Sequence, residues 1–177
     1  NVTIIEVGPR DGLQNEKNEV STENKLAFIH ALQASGIQEM EITSFVSPKW
    51  VPQMSDAADI VERVHKQGRQ FVLTPNSKGM ERALHVGAKS VAVFVGVSNT
   101  FNMKNINKTT AQSMEELKPL IINLKQQGYF VRACISTAFY CPYEGKMAVE
   151  DTLSLCKEFA TWGVDELFAK SLAGFFN

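Results

Sequence analysis

Between Glu6 and Asn18 the chain reads EVGPRDGLQNEKN, which sets an arginine and an aspartate, Arg10 and Asp11, side by side among two glycines and a proline. Asp11 offers hard oxygens to a divalent cation, and Arg10 can hold a carboxylate or stabilise an enolate oxygen as its charge develops. An Asx-turn beside a surface arginine is the alternative. Glu41, in EMEITSF, falls on a strand pattern whose alternation places it with Glu39 and opposite Met40 and Ile42. Glutamate is disfavoured in strands and costly to bury alone, so Glu41 requires a partner such as Arg10 or a metal-bound water, unless it lies on a solvated edge. Gln14 could donate to a substrate carboxylate, or be a polar loop residue with no special role.

The other candidates carry weaker signals. In GVSNTFNMKNINK, residues 96–108, Lys104 and Lys108 flank Asn102, Asn105 and Asn107, a pattern suited to the phosphates of a long ligand and equally to a solvated loop. His30, His65 and His85 all fall within helical patterns and lack the spacing of a metal site. Cys141 lies in a loop with no histidine beside it, which fits a buried structural thiol. No GxGxxG or Walker loop is present, which argues against nicotinamide or ATP chemistry.

These residues need elements to position them. Strand patterns occur at Val2–Val7, Glu39–Ile42, Phe71–Leu73, Ser90–Val95, Phe130–Ile135 and Glu166–Phe168, with helical patterns at Thr22–Ala34, Met54–Lys66, Lys78–Leu84, Thr110–Gln126 and Val149–Thr161. A glycine follows each helix, namely Gly36, Gly68, Gly87, Gly128 and Gly163. The alternation predicts an α/β fold with a parallel sheet, either open and doubly wound or a (β/α)8 barrel of which about six units are present. In both, ligands bind at the carboxyl ends of the strands, where the polar segments above lie. No linker divides the chain, so residues 1–177 are expected to form a single, partial barrel domain.

Composition narrows the function. With 18 basic and 19 acidic residues the net charge is −1, so nucleic acid is not an expected partner. No apolar run reaches the roughly 20 residues that would cross a membrane. Three cysteines without CxxC spacing predict free thiols in a reducing compartment. The opening Asn1-Val2-Thr3 suggests a processed or trimmed N-terminus.

Five ordered motifs carry a resemblance: VGPRDGLQNE from Val7, EITSFVSPKWVPQM from Glu41, LTPNSKG from Leu73, KNIN from Lys104 and CPYEGK from Cys141. Together they strongly resemble 3-hydroxy-3-methylglutaryl-CoA lyases, metal-dependent enzymes built on a (β/α)8 barrel. The resemblance implies retro-Claisen cleavage of an acyl-CoA thioester to acetoacetate and acetyl-CoA, with Mg2+ or Mn2+, in leucine degradation or ketone body metabolism. It assigns Asp11 to the metal, Arg10 to the enolate of the departing acetyl-CoA, and Glu41 to organising Arg10 and the metal's water shell. Gln14 joins them in the catalytic set. Ser44, Asn15, Lys17 and Asn105 are the implied substrate-binding residues. Members of the family occur in bacterial cytoplasm and in the mitochondrial matrix, and a homo-oligomer is a candidate assembly.

The resemblance runs from Val2 to about Leu167, after which ELFAKSLAGFFN departs from the family's Ser-Leu-Gly-Asp-Thr. Tyr140 stands where glycine is usual in the family. The family's later His-x-His and Asn ligands and its catalytic cysteine have no counterpart up to Asn177. A truncated chain is therefore expected, and with it a second reading: a non-catalytic remnant that persists through a partner chain. A related condensing enzyme, an isopropylmalate or homocitrate synthase, is a third, against which the SFVSPKWVPQM segment argues.

Overall fold

A computed structural model describes residues 2–171, and the chain divides into two units, Asn1–Val91 and Ala92–Asn177. Strands of a parallel sheet covered on both faces are ordinarily apolar throughout, and the first unit departs from that rule, because its strand Glu39–Ser44 alternates polar and apolar residues as far as Thr43. Its strands β1 (Ile5–Glu6), β2 (Glu39–Ser44) and β3 (Arg69–Leu73) lie side by side in that order, all parallel. From Met40 to Ser44 every residue of β2 is buried. Three helices connect or follow these strands: α1 (Thr22–Ala34), α2 (Ala57–Arg63) and α3 (Ser77–His85). Ser21 caps α1 by accepting from the Asn24 amide at 3.3 Å, and Asn76 caps α3 by accepting from Gly79 at 2.9 Å. Leu26 and Ile29 of α1, and Ala57, Ile60 and Val61 of α2, are buried with Met40, Ile42, Phe71 and Val72 of the strands.

One irregularity bears directly on the site. The β2–β3 register runs Glu41 to Phe71 and then Thr43 to Val72, so Ile42 is an extra residue on β2. Such a bulge bends a strand and re-aims the side chains beyond it. It falls immediately after Glu41.

The second unit contains β4 (Ser90–Gly96), which starts two residues before the division, then α4 (Asn99–Ile106), α5 (Thr110–Gln126) and β5 (Phe130–Ser136). A short antiparallel pair, β6 (Tyr140–Cys141) and β7 (Gly145–Lys146), precedes α6 (Val149–Thr161) and β8 (Glu166–Ala169). β8 pairs in parallel with β5, where Arg132 Nε donates to Glu166 Oε2 at 2.8 Å. Met114, Leu117, Ile121 and Leu124 form the buried stripe of α5, and Phe159 meets Trp162 edge to face at 5.1 Å. Thr109 and Gln112 make a reciprocal capping box at the start of α5.

Several expected bounds are corrected. Strand one is Ile5–Glu6, shorter than Val2–Val7. The expected helix Met54–Lys66 is a 3-10 turn at Pro52–Met54 followed by α2, which stops where Val64 turns extended at ψ 143°. His65 therefore lies outside a helix. The segment read as a polar loop after strand four is α4, started by Ser98, whose side chain accepts from the Phe101 amide at 3.0 Å, and ended by left-handed Asn107. All three cysteines are free thiols. The last six residues of the divergent C-terminal segment, 172–177, lie outside the described residues. Among the described residues no helix is long and apolar enough to cross a membrane.

Gly68 has φ +67°, and a Cβ built there would lie 2.0 Å from the Gln38 carbonyl oxygen; Gly36, at φ +97°, has nothing within 4 Å. Gly36→Ala is expected to cost about 1 kcal/mol of backbone strain and Gly68→Ala distinctly more, measured by urea unfolding. A second expectation concerns α1. His30 stacks on His65 with ring centroids 4.0 Å apart, and its Nε2 is buried without a partner. Desolvation, and secondarily the facing His65, lower the His30 pKa from its ordinary value. The unfolded chain then takes up a proton more readily than the folded one, so this stability is complete above about pH 6.5 and is lost as pH falls below it. The urea midpoint should fall between pH 7.5 and 5.5, by less in His30→Phe.

Candidate active site

Pro9 lacks an amide hydrogen and occupies the second position of a π-helical turn, Gly8–Gly12, that begins two residues after β1. Asp11 donates its amide to the Val7 carbonyl at 2.7 Å, and Arg10 does so at 3.1 Å. The turn drives Arg10 inward, leaving it 9% exposed.

Buried Arg10 meets two carboxylates. Its Nε donates to Oε1 of Glu41, which is 3% exposed, and its Nη1 donates to Asp11 Oδ1 at 2.7 Å. Glu41 thus has the partner that its burial demands, and Glu39 on the same strand is likewise paired, with Arg69 Nη1 at 2.7 Å. The Asp11 side chain is 47% exposed and keeps Oδ2 without a partner among the described residues. Two of the five guanidinium N–H groups of Arg10 are used, so three remain to meet an oxyanion. The cluster is one cation between two anions, arranged to offer donors and a carboxylate oxygen together.

The remaining candidates divide. Asn15 sits beside the cluster, its Nδ2 donating to the Asp11 carbonyl at 2.7 Å. Gln14 has a buried Oε1 without a partner, an acceptor awaiting a donor. Lys17 is exposed on the following loop. Ser44 is fully buried at the end of β2, its hydroxyl donating to the Leu73 carbonyl at 3.3 Å. Asn105 belongs to the second unit, where its Nδ2 donates to Phe101 O within α4 at 2.8 Å. Its neighbours in that pattern also have protein partners: Asn102 binds Gly96 N and Thr110, Lys108 pairs with Glu116, and Lys104 lies 5.0 Å from the Tyr143 ring centroid. Cys141 is buried, its Sγ donating to Ser98 Oγ at 3.0 Å. Thr137, at the carboxyl end of β5, takes φ +53°, a strained conformation for a β-branched residue.

The reading of motifs missed a second buried charge in the first unit. Lys25 of α1 pairs with Asp56 at 2.8 Å, and its Nζ also donates to the Gln53 carbonyl. Its partners lie about thirty positions away, and nothing at that spacing announces them.

A cavity of about 480 Å3, lined by Gln38, Glu39, Arg69 and Lys89 among others, opens at the amino ends of β2 and β3, away from Arg10. It is not the candidate site. Nor do the described residues hold a divalent cation alone: no group of three or more His, Cys, Asp or Glu side chains comes together, and Asp11 supplies one carboxylate where such ions take about six ligands.

The HMGL-like family model matches residues 1–174. The chain belongs to the HMGL-like family. It is 42% identical over 168 residues to hydroxymethylglutaryl-CoA lyase YngG of Bacillus subtilis and 44% identical to the human mitochondrial hydroxymethylglutaryl-CoA lyase. Those matches cover 94% of this chain but 56% and 52% of the two relatives, so the chain spans about half their length. The solved HMG-CoA lyase of B. subtilis superposes with a TM-score of 0.90 at 41% identity, covering 95% of this chain and 57% of that one. A lyase of Acinetobacter baumannii, solved with coenzyme A and 3-methylmalate, gives 0.89 at 32%, covering 94% and 55%. The fold class of this HMGL-like chain is α/β, a partial (β/α)8 barrel.

Removing one partner of a buried ion pair strands the other charge. Glu41→Ala should therefore destabilise by about 3 kcal/mol, and Asp11→Ala, at a half-exposed position, by less than about 1 kcal/mol, both read from urea unfolding.

Proposed function

We propose that this HMGL-like protein cleaves 3-hydroxy-3-methylglutaryl-CoA to acetoacetate and acetyl-CoA. The observation that carries the reading is Arg10, oriented by buried Glu41 and half-exposed Asp11 beyond the carboxyl end of β1, with three N–H donors unspent.

The chemistry follows from where charge must go. The tertiary hydroxyl loses its proton, a carbonyl forms at that carbon, and the adjacent carbon–carbon bond breaks. Its electron pair becomes the enolate of acetyl-CoA, which then takes a proton. Arg10 would meet the negative charge on the thioester oxygen, a contact strengthened as the enolate forms. Glu41 would hold the guanidinium in the orientation that leaves those donors outward. Gln14 would accept from or donate to the substrate's polar end. A divalent cation, Mg2+ or Mn2+, when bound would supply Lewis acidity towards the hydroxyl, with Asp11 as the ligand this chain contributes.

The thioester reading draws support from the A. baumannii relative, whose solved complex holds coenzyme A. Asn15 and Lys17 lie on the loop that follows the cluster and would meet such a ligand. Ser44 is buried with its hydroxyl donated to the Leu73 carbonyl, so its part would be to support the end of β2, and Asn105, with one donor engaged by the Phe101 carbonyl, would offer at most its other amide hydrogen. The same reading takes residues 1–177 as one partial barrel domain. It places the protein in bacterial cytoplasm or the mitochondrial matrix, self-associating, without nucleic-acid or membrane partners. A second reading, a folded remnant without turnover, is favoured by the single candidate metal ligand among the described residues.

The test is acetoacetate release from 3-hydroxy-3-methylglutaryl-CoA by this chain with Mg2+ or Mn2+. Metal-dependent release is expected, lost in Asp11→Ala and lowered about 10²-fold or more in Arg10→Met. No release from demonstrably folded protein would favour the remnant.

A further inference from the structure

The loop that carries Asn15 and Lys17 is tied down at both ends. Near the cluster, Asn15 N donates to the Gly12 carbonyl at 3.2 Å and Glu16 N to the Leu13 carbonyl at 3.1 Å. At its far end the loop meets one buried side chain, Gln53, from the 3-10 turn between β2 and α2. Gln53 Oε1 accepts from the Val20 amide at 2.9 Å, and its Nε2 donates to the Asn18 carbonyl at 3.2 Å. The amide group therefore takes the place that a neighbouring strand would fill, satisfying one donor and one acceptor of an irregular segment.

Gln53 is itself held. Its main-chain carbonyl accepts from Lys25 Nζ, and that ammonium, with the side chain 6% exposed, is paired with both oxygens of Asp56, at 2.8 and 3.0 Å. Thr22 Oγ1 donates to Asp56 Oδ2 at 2.8 Å. Desolvating a lysine and an aspartate is expensive, and apolar residues of similar volume would serve packing as well or better. What the charged cluster adds is direction: its polar contacts join α1, the turn after β2 and the backbone of loop 15–20.

We propose that Lys25, Asp56 and Gln53 form a positioning cluster that fixes loop 15–20 beside Arg10 and Asp11 and thereby sets the affinity for the acyl-CoA thioester. That the loop faces a thioester rests on the lyase reading. That the cluster fixes the loop rests on the contacts alone.

Amide hydrogen exchange separates the two. In Gln53→Leu the Val20 amide should exchange about tenfold faster, the effect of one lost hydrogen bond, while the amides of Met40 and Ile42 in β2 stay within about twofold. Lys25→Met should do the same, and Lys25→Arg, which keeps the charge, should restore protection. KM should rise about tenfold in Gln53→Leu with kcat within about threefold, a loss of uniform binding. An unchanged Val20 rate, or equal loosening of Val20 and β2, would overturn the cluster's role as a positioning device. A loosened Val20 with unchanged KM would overturn its effect on affinity. Should the wild type not turn over, the Kd for acetyl-CoA replaces KM; neither turnover nor binding would sink the lyase reading, and the exchange rates would still decide whether the cluster fixes the loop.

Discussion

A guanidinium taken out of water must find anions, and in the first unit that requirement fixes the geometry around it. Arg10 is buried because the π-helical turn after β1 aims it inward, and its burial is tolerable because Glu41 waits on the neighbouring strand. Neither residue would occupy its place without the other. Asp11, one position along the same turn, adds a second carboxylate from the wetter side. The turn and the bulge at Ile42 are the backbone distortions that bring a loop residue and a strand residue together.

The two units use their polar groups differently. In the second, candidate ligand-binding side chains are engaged by structure: Asn102 closes the segment between β4 and α5, Asn105 donates to the Phe101 carbonyl within α4, and Lys108 pairs with Glu116. In the first, three N–H groups of Arg10, one oxygen of Asp11 and the buried oxygen of Gln14 stay unspent among the described residues. Buried polar atoms without partners are costly in a protein that does nothing with them.

Much of this was legible from residue types. Glu41 announced its need of a partner because a strand glutamate is disfavoured by propensity and by burial, and the nearby arginine was an evident candidate. The glycines Gly36, Gly87, Gly128 and Gly163 marked left-handed exits directly after α1, α3, α5 and α6, whereas Gly68, also at positive φ, lies beyond an α2 that already ends at Arg63 and serves the approach to β3 instead. The distortions were not legible. A bulge is a property of two strands and their register, and the motif around Ile42 reads like any buried strand. α4 was hidden because its asparagines suggest a loop, while the Ser98 cap that starts it is a single residue. The cluster at Lys25 was hidden for a different reason: it is assembled from α1 and the turn before α2, and lysine at an early helix position is ordinarily a solvated residue.

The separation between Arg10 and Glu41 along the chain is small for a buried charge pair, 31 residues spanning one helix. Closing a loop of that length costs little more entropy than closing one half as long. A nascent polypeptide leaving the ribosome therefore carries both partners as soon as β2 has emerged, well before the second unit has been synthesised. The Arg10–Glu41 corner belongs to a single strand–helix–strand segment, and its assembly asks only for neighbours within that segment.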